Sequence, residues 1–520
     1  ILVQKIRKQV RIRIIGDYDV DGVTSSHLFL TALRRVGAKV DVVIPHRIQD
    51  GYGLSLHLLQ QAKEDGVDTI LTCDNGIAAI DEIAWAKAQK MTVLVTDHHA
   101  VPFEEHEGRR TEKKSLADAV VNPHQQDCGY PYKELCGAGV AWNVIRVLYE
   151  NYDMDKREAE DLLDFVAMAT VCDVMSLTGE NRILVKEGLK RIRHTKNIGL
   201  QALMQACNVQ PENISAYHFG YVLGPCVNAT GRLDTARHAL RLFETGQETE
   251  AEEIARDLVD LNQERKELTL QGVEMAKKLC EEGGYENDPV LVLFLPDVHE
   301  SIAGLIAGRI REMYNRPVFV LTRGEEGVKG SGRSTENYSM YENMCGCAEL
   351  FTKFGGHPMA AGLSLPEENV EKFRRKINEN CPLTVEEVCP DIHIDMAMPV
   401  GYASTELVHQ FALLEPFGKD NPSPLFADRN LSISRMWLIG KNRNVLRMSV
   451  LSEYGQPVPV IFFGDVETLF AYFTEKFGQE EVENALHGRK NRILFSMVYT
   501  AKIDFYQGNE NLQLEMKYYR

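Results

Sequence analysis

Apolar positions in the first third of the chain fall into short runs separated by helical spacing. Arg11 to Ile15 carries Ile12, Ile14 and Ile15 in a buried-strand pattern, and the helix-like stretch TSSHLFLTALRRVG follows Gly22. Val40 to Ile44, Asp68 to Cys73 and Thr92 to Thr96 repeat the strand pattern. This alternation, continuing to about residue 185, predicts a parallel sheet with helices on both faces. Residues 100–135 read as loop, with Glu104 to Lys114 a charged, solvated segment, and residues 136–166 and 181–245 read as helical. From Gln247 to Gly283, Ala251, Ile254, Leu258, Leu261, Leu268 and Val273 recur at helical spacing, interrupted only by Gly272. A helix of that length spans roughly 50 Å and predicts a connector between two lobes.

Beyond Asp288-Pro289 the strand VLVLFL, the helix pattern SIAGLIAGRIREMY and the strand PVFVLT open a second α/β lobe. From about residue 390, short strand patterns stand at Leu431 to Ile433, Val445 to Leu451, Val458 to Phe463, Ile493 to Ala501 and Leu512 to Tyr518. Turns at Glu453 to Gln456 and Gln507 to Asn511 separate them, which predicts a small barrel. The expected architecture is therefore α/β: a first lobe over 1–245, a connecting helix over 246–284, a second lobe over 285–388 and a barrel over 389–520.

Composition changes this picture little. At 520 residues, 44% hydrophobic and 26% charged, the chain suits several globular domains. It shows no apolar run of membrane-spanning length and no signal-peptide pattern, so a cytoplasmic location is expected. It begins at Ile1 rather than Met, which points to residues upstream. The net charge of −17 argues mildly against a nucleic-acid partner. That total is a sum, however, and a local basic groove coexists readily with an acidic remainder. The 11 cysteines lack the spacing of a disulfide framework and read as reduced and mostly buried.

The strand ends carry the chemistry. The first runs into Asp17, Asp19 and Asp21, the third into Asp74, Asn75 and Gly76, and the fourth into Asp97, His98 and His99. Alone, the first is equally well an acidic turn. In a parallel sheet, however, C-terminal strand ends share one edge, where ligands bind. Carboxylates gathered there repel one another and lose hydration unless a cation sits among them. A carboxylate-rich set favours Mn²⁺ or Mg²⁺ over Zn²⁺.

DYDVDG, CDNG and TDHH resemble the successive motifs of the DHH phosphoesterase family. Ala167 to Leu177, AMATVCDVMSL, resembles its fourth and supplies Asp173. Ser331-Gly332-Arg333-Ser334, Gly355-Gly356-His357 and Ala360-Ala361-Gly362 resemble the DHHA1 signature of the second lobe. Gly224 to Leu233, with Asn228 and Arg232, is similar to a segment of the family's single-strand-specific exonuclease branch, which more often has a basic residue where Cys226 stands. The run from Leu414 to Phe426 resembles that branch's entry into an OB-fold, with Asp420 in place of the usual Gly.

The resemblance implies a 5′→3′ exonuclease of single-stranded DNA acting in recombination and repair, with single-strand-binding protein and a helicase as partners. Two-metal hydrolysis is expected: Asp74 bridges the ions, Asp19 with Asp17 holds one, and Asp21, His98 and Asp173 hold the other. His99 is expected as general acid or transition-state donor, oriented with help from Asp97. Arg47, Ser331 and Arg333, with Ser334 beside them, are expected to hold a terminal 5′ phosphate, and Gly355, Gly356 and His357 the scissile region. The glycines are expected to let backbone N–H groups approach an anion. On spacing alone Arg47 is a solvated loop arginine, and the resemblance changes that reading. Lys441, Arg443, Arg447 and Trp437 suggest a basic, aromatic face on the barrel, while Phe462 and Phe463 suit its core better. Two alternatives stand. One is a DHH hydrolase of short oligonucleotides, cyclic dinucleotides or pyrophosphate, disfavoured by the connector and the barrel. The other is a non-catalytic nucleic-acid scaffold, which would be expected to have lost metal ligands.

Overall fold

Ile12, Ile14 and Ile15 are fully buried in strand β1 (Arg11–Ile15), which leads into helix α1 (Val20–Arg35). Strands β2 (Lys39–Val43), β3 (Thr69–Cys73), β4 (Thr92–Thr96) and β5 (Ala119–Val121) complete a parallel sheet in the order β2-β1-β3-β4-β5. Near-continuous apolar runs suit strands buried on both faces. The order reverses direction at β1, so the crevice beyond the ends of β1 and β3 is the expected ligand position. The chain is described from a computed structural model, which covers residues 1–520 except 48–49, 51–52, 107–108, 234, 286, 325–326, 388–390, 441–442 and 507–508. Lys441, Gly51, Tyr52 and the start of the Gln507 turn therefore lie outside the described residues.

The stretch read as solvated loop contains a small antiparallel hairpin, Phe103–His106 with Arg109–Glu112. Its alternation is masked by charge, so no apolar pattern marked it. Helices α2 (Gly137–Glu150), α3 (Leu163–Cys172) and α4 (Gly224–Leu233) follow.

The long helix is α5 (Glu248–Glu282). Its first half buries Ala251, Ile254 and Leu258 in the core of the first lobe, and its second half buries Val273 and Ala276 in that of the next. Gly272 is explained by packing: a Cβ there would come within 2.3 Å of Ile306 Cδ1 on helix α6 (Ala303–Tyr314). The second lobe is a mixed sheet of β6 (Leu291–Phe294), β7 (Val318–Gly324), β8 (Gly327–Arg333), β9 (Lys353–His357) and β10 (Ala360–Leu365), in the order β9-β10-β8-β7-β6. Only β6 and β7 run parallel.

Residues 1–391 form one compact unit and residues 392–520 a second. In the second, strands Phe426–Ile439, Val445–Leu451, Pro457–Phe462, Leu494–Tyr506 and Asn509–Tyr519 close a five-stranded barrel, the first also pairing with the fourth. Helices Val466–Phe477 and Gln479–Leu486 interrupt it. Phe462 is buried in its core, whereas Phe463 is 58% exposed. Trp437 and Arg447 pair across neighbouring strands. Asp420, in place of the usual Gly, adopts φ 59°, the left-handed conformation Gly takes freely.

Candidate metal centre and anion cavity

The ligand candidates stand where a strand ends, in the first turn of the helix that follows it, or at the end of a helix. Asp17 follows β1, and Asp19 caps α1, accepting from Gly22 N at 3.0 Å. The helix begins at Val20, so Asp21 and Gly22 lie in its first turn. A Cβ at Gly22 would come within 2.5 Å of the Asp17 backbone, so only glycine lets the three acids crowd together. Asp74 follows β3 with φ 62°, a left-handed conformation unusual for a side chain bearing a Cβ. Asn75 ties the ends of β1 and β3, donating to Ile15 O at 3.1 Å and Cys73 O at 2.9 Å. Asp173 caps the end of α3.

These side chains converge. His98 Nε2 lies 3.0 Å from Asp74 Oδ1, 3.5 Å from Asp173 Oδ2 and 3.7 Å from Asp21 Oδ2. Three overlapping groups have ligand atoms within 4.8 Å of one another: Asp17, Asp19 and Asp74; Asp21, His98 and Asp173; and Asp74, His98 and His99. Burial, then the surrounding carboxylates, raises Asp74 well above the ordinary carboxylate range. Burial and the neighbouring Asp19 do the same to Asp17. Burial lowers His98, which favours the neutral imidazole that a metal ligand must be. Buried Asp17 Oδ1 and His98 Nε2 have no hydrogen-bond partner among the described residues. Crowded acids with vacant lone pairs and a neutral imidazole fit divalent cations.

Asp97 supports the histidines. Its Oδ1 accepts from His98 N at 2.7 Å, His99 N at 3.1 Å and His99 Nδ1 at 2.8 Å, and its Oδ2 from Ile77 N at 2.9 Å. Burial opposes a charged His99, but the Asp97 bond and nearby acids outweigh it and raise the imidazole to about 9.

Beside the acids lies a cavity of about 490 Å³ lined by Tyr18, Arg47, Arg232, Ser331, Arg333 and Gly355, among others. Tyr18 joins the two regions: it sits between Asp17 and Asp19, and the Arg47 guanidinium stacks 4.9 Å from its ring centroid. Arg232 Nη1 donates to Ser301 O at 2.5 Å. Burial, then Arg47 and other cations, lowers Arg232 to about 10 and also lowers Arg333. Cations pressed together in a cavity are relieved by an anion.

The remaining candidates lie elsewhere. Asn228 Oδ1 accepts from Val20 N at 3.1 Å, bracing the start of α1. Buried Ser334 donates to Tyr338 O at 2.6 Å. Gly356 and His357 are exposed on β9 and do not line the cavity. Gly332 sits on the central strand β8, paired on both sides, where a Cβ would strike Met340 Sδ at 2.5 Å. Its backbone is thus spent on the ladder, and the cavity's donors on this strand are the side chains of Lys329, Ser331 and Arg333.

Comparison with known proteins follows the same geometry. Residues 11–170 match the DHH family, N-terminal domain, residues 287–381 the DHHA1 domain, and residues 394–518 the RecJ OB domain. The single-stranded-DNA-specific exonuclease RecJ of Haemophilus influenzae is 33% identical over 539 residues, covering 100% of this chain and 89% of that protein. The chain belongs to the RecJ family. The RecJ of Bacillus subtilis is 34% identical over 87% of this chain, but the match spans only 56% of that longer protein. Among solved structures, RecJ from Thermus thermophilus in complex with Mn²⁺ superposes with a TM-score of 0.80 at 26% identity, covering 100% of this chain and 70% of that one.

Set within the RecJ family, the acids are braced by a feature that sequence reading missed. Gly137 N donates to Asp21 Oδ2 at 2.6 Å and Ala138 N to Asp21 Oδ1 at 2.7 Å, both from the first turn of α2. Helix N-terminal N–H groups stabilise such a carboxylate. A Cβ on Gly137 would also lie 2.6 Å from Asp74 Cβ. The signal was there in Gly137-Ala138-Gly139 ahead of a helix pattern, but it reads as an ordinary turn.

Proposed function

We propose that this chain is a divalent-metal-dependent exonuclease that hydrolyses single-stranded DNA from a 5′ end. The supporting observation is the juxtaposition of an acid and imidazole cluster with an arginine-lined cavity, joined through Tyr18. Asp17, Asp19 and Asp74 would hold one cation, and Asp21, His98 and Asp173 a second, with Asp74 between them. When bound, Mn²⁺ or Mg²⁺ supplies Lewis acidity and screens phosphate charge. The protein's own groups do the rest. Asp97 fixes the His99 ring, and the imidazolium presents a proton to the departing oxygen. Arg47, Arg232 and Arg333 grip a terminal phosphate and set the direction of attack, since guanidinium matches phosphate oxygens in pairs. The barrel of the second unit carries single-stranded DNA, as OB-folds do.

The test uses a 3′-labelled oligonucleotide with Mn²⁺, in 5′-phosphorylated and 5′-blocked forms, beside a matching duplex. The expected result is a ladder from the single strand alone, formed faster with a free 5′ phosphate. Cleavage of dinucleotides or pyrophosphate, with the long strand intact, would move the protein to the small-substrate branch. Binding without cleavage would make it a scaffold.

A further inference from the structure

Between α3 and α4 the chain passes through Ala216–His218 and a π-helical turn, Phe219–Leu223. Tyr217 and Tyr221 project from this stretch, 62% and 71% exposed, with ring centroids 5.1 Å apart and planes 24° from parallel. Two stacked aromatic rings held in solvent contribute little to a core. π-Helical turns are rare and concentrate at functional sites.

Their position indicates what they face. Gly220 and Gly224 alternate with the two tyrosines along this stretch. Both glycines meet the last turn of α3: a Cβ at Gly224 would lie 2.3 Å from Cys172 Sγ, and one at Gly220 3.5 Å from Val171 Cγ1. Cys172 Sγ donates to Phe219 O at 3.3 Å. The next residue is Asp173, and after it comes Val174, itself 62% exposed. The segment that carries the tyrosines therefore touches α3 next to the residue that α3 delivers to the acid cluster. The same segment runs directly into α4, which carries Arg232 to the anion cavity.

We propose that Tyr217 and Tyr221 form a base-stacking platform for single-stranded nucleic acid at the rim of the metal centre, gripping the bases next to the scissile phosphodiester. The proposal rests on the nuclease reading above and deepens it. The arginines of the cavity match phosphate oxygens, which leaves the bases to be held by other groups, and flat rings in solvent hold them without regard to sequence.

The test compares wild type, Tyr217→Ala/Tyr221→Ala and Tyr217→Phe/Tyr221→Phe in Mn²⁺-dependent digestion of 3′-labelled single strands. Both positions are exposed, so folding should be unaffected, which circular dichroism checks. The alanine variant should raise KM about tenfold with kcat within about twofold, the loss expected of removed stacking. The phenylalanine variant should match wild type, because the ring and not the hydroxyl makes the contact. On strands whose 5′-proximal nucleotides are abasic, wild type and alanine variant should share one KM. An alanine variant with the wild-type KM on ordinary DNA, or a difference that persists on abasic strands, overturns the platform. A wild-type protein that leaves single strands undigested removes the nuclease reading, and the platform falls with it.

Discussion

At Gly137 a single hydrogen atom leaves room for the metal centre. Its Cα faces Asp74, and a Cβ would lie 2.9 Å from the Asp74 Cα as well as 2.6 Å from its Cβ. The glycine cannot retreat, because its N–H holds Asp21. Gly137→Ala must therefore displace one acid or the other. A displacement near 1 Å costs on the order of 100-fold in rate. We expect that loss in single-turnover digestion, with an unchanged circular dichroism spectrum. Activity within fivefold of wild type would show that the contact yields. Legibility at this scale divides by range along the chain. Asp17, Asp19, Asp74 and His98 were readable because each follows an apolar run and a strand end has a known position in a parallel sheet. Gly137 was not, since its two contacts lie 116 and more than 60 residues away. Gly332 misled for the opposite reason: a glycine between polar residues reads as a loop, whereas here it clears space inside a strand pair.

Among the elements, the strands and the long helix followed their periodicity closely, while the hairpin at 103–112 did not, because charged residues fill its alternating positions. Helix contacts were invisible to any pattern. Helix Gly179–Ile192 packs so tightly on α3 that a Cβ at Gly188 would come within 2.3 Å of both Leu163 O and Ala167 Cβ. Overpacking costs about 1–3 kcal/mol, and here the obstacle is a backbone carbonyl that cannot rotate away. It should outweigh the roughly 1 kcal/mol of helix propensity that alanine gains over glycine. Gly188→Ala should therefore lower the melting temperature of the first unit by a few degrees, read by calorimetry. It should also slow digestion, since α3 carries Asp173. A variant melting at or above wild type would contradict this.

Around α3 two buried groups respond to acid in opposite senses. His27 on α1 lies 4.5 Å from the Phe165 ring and 5.9 Å from that of Phe243, and burial, with Arg34 nearby, lowers it to about 3. The unfolded chain protonates first, so stability falls by up to about 1.4 kcal/mol per unit as pH drops from 6.5 toward 3. Burial raises Asp164, which accepts from Thr195 Oγ1 at 2.7 Å, to about 6. Here the folded state protonates first, so stability rises as pH falls from 6 toward 3.8. Between pH 6 and 4 the two contributions largely offset. Asp164→Asn removes one and should expose the other. Urea unfolding should show this variant losing about 2–3 kcal/mol more than wild type over that interval. Parallel pH profiles would contradict the assignment.

For the whole molecule, the order of parts was legible because each part has its own periodicity, whereas the energetic separation of the units is visible only in their cores. Met398, Phe426, Tyr499 and Met516 belong to a core confined to the second unit. All three clusters of potential ligands found among the described residues lie in the first, and two of them contain Asp74. A ligand that binds only the folded form stabilises it by about 2.7 kcal/mol at one hundred times its dissociation constant. Mn²⁺ should accordingly raise the melting transition of the first unit by several degrees and leave that of the second in place, and a chelator should reverse the shift. In Asp74→Ala, which should also have lost hydrolysis, the first transition should barely respond. The size of the effect follows from the site itself, because burial and neighbouring carboxylates, Asp19 beside Asp17 and Asp21 first among those around Asp74, hold both acids raised, and a cation relieves both at once. Equal shifts in both transitions, or an undiminished shift in Asp74→Ala, would mean that Mn²⁺ acts on the protein's overall acidity and not on the strand-end cluster.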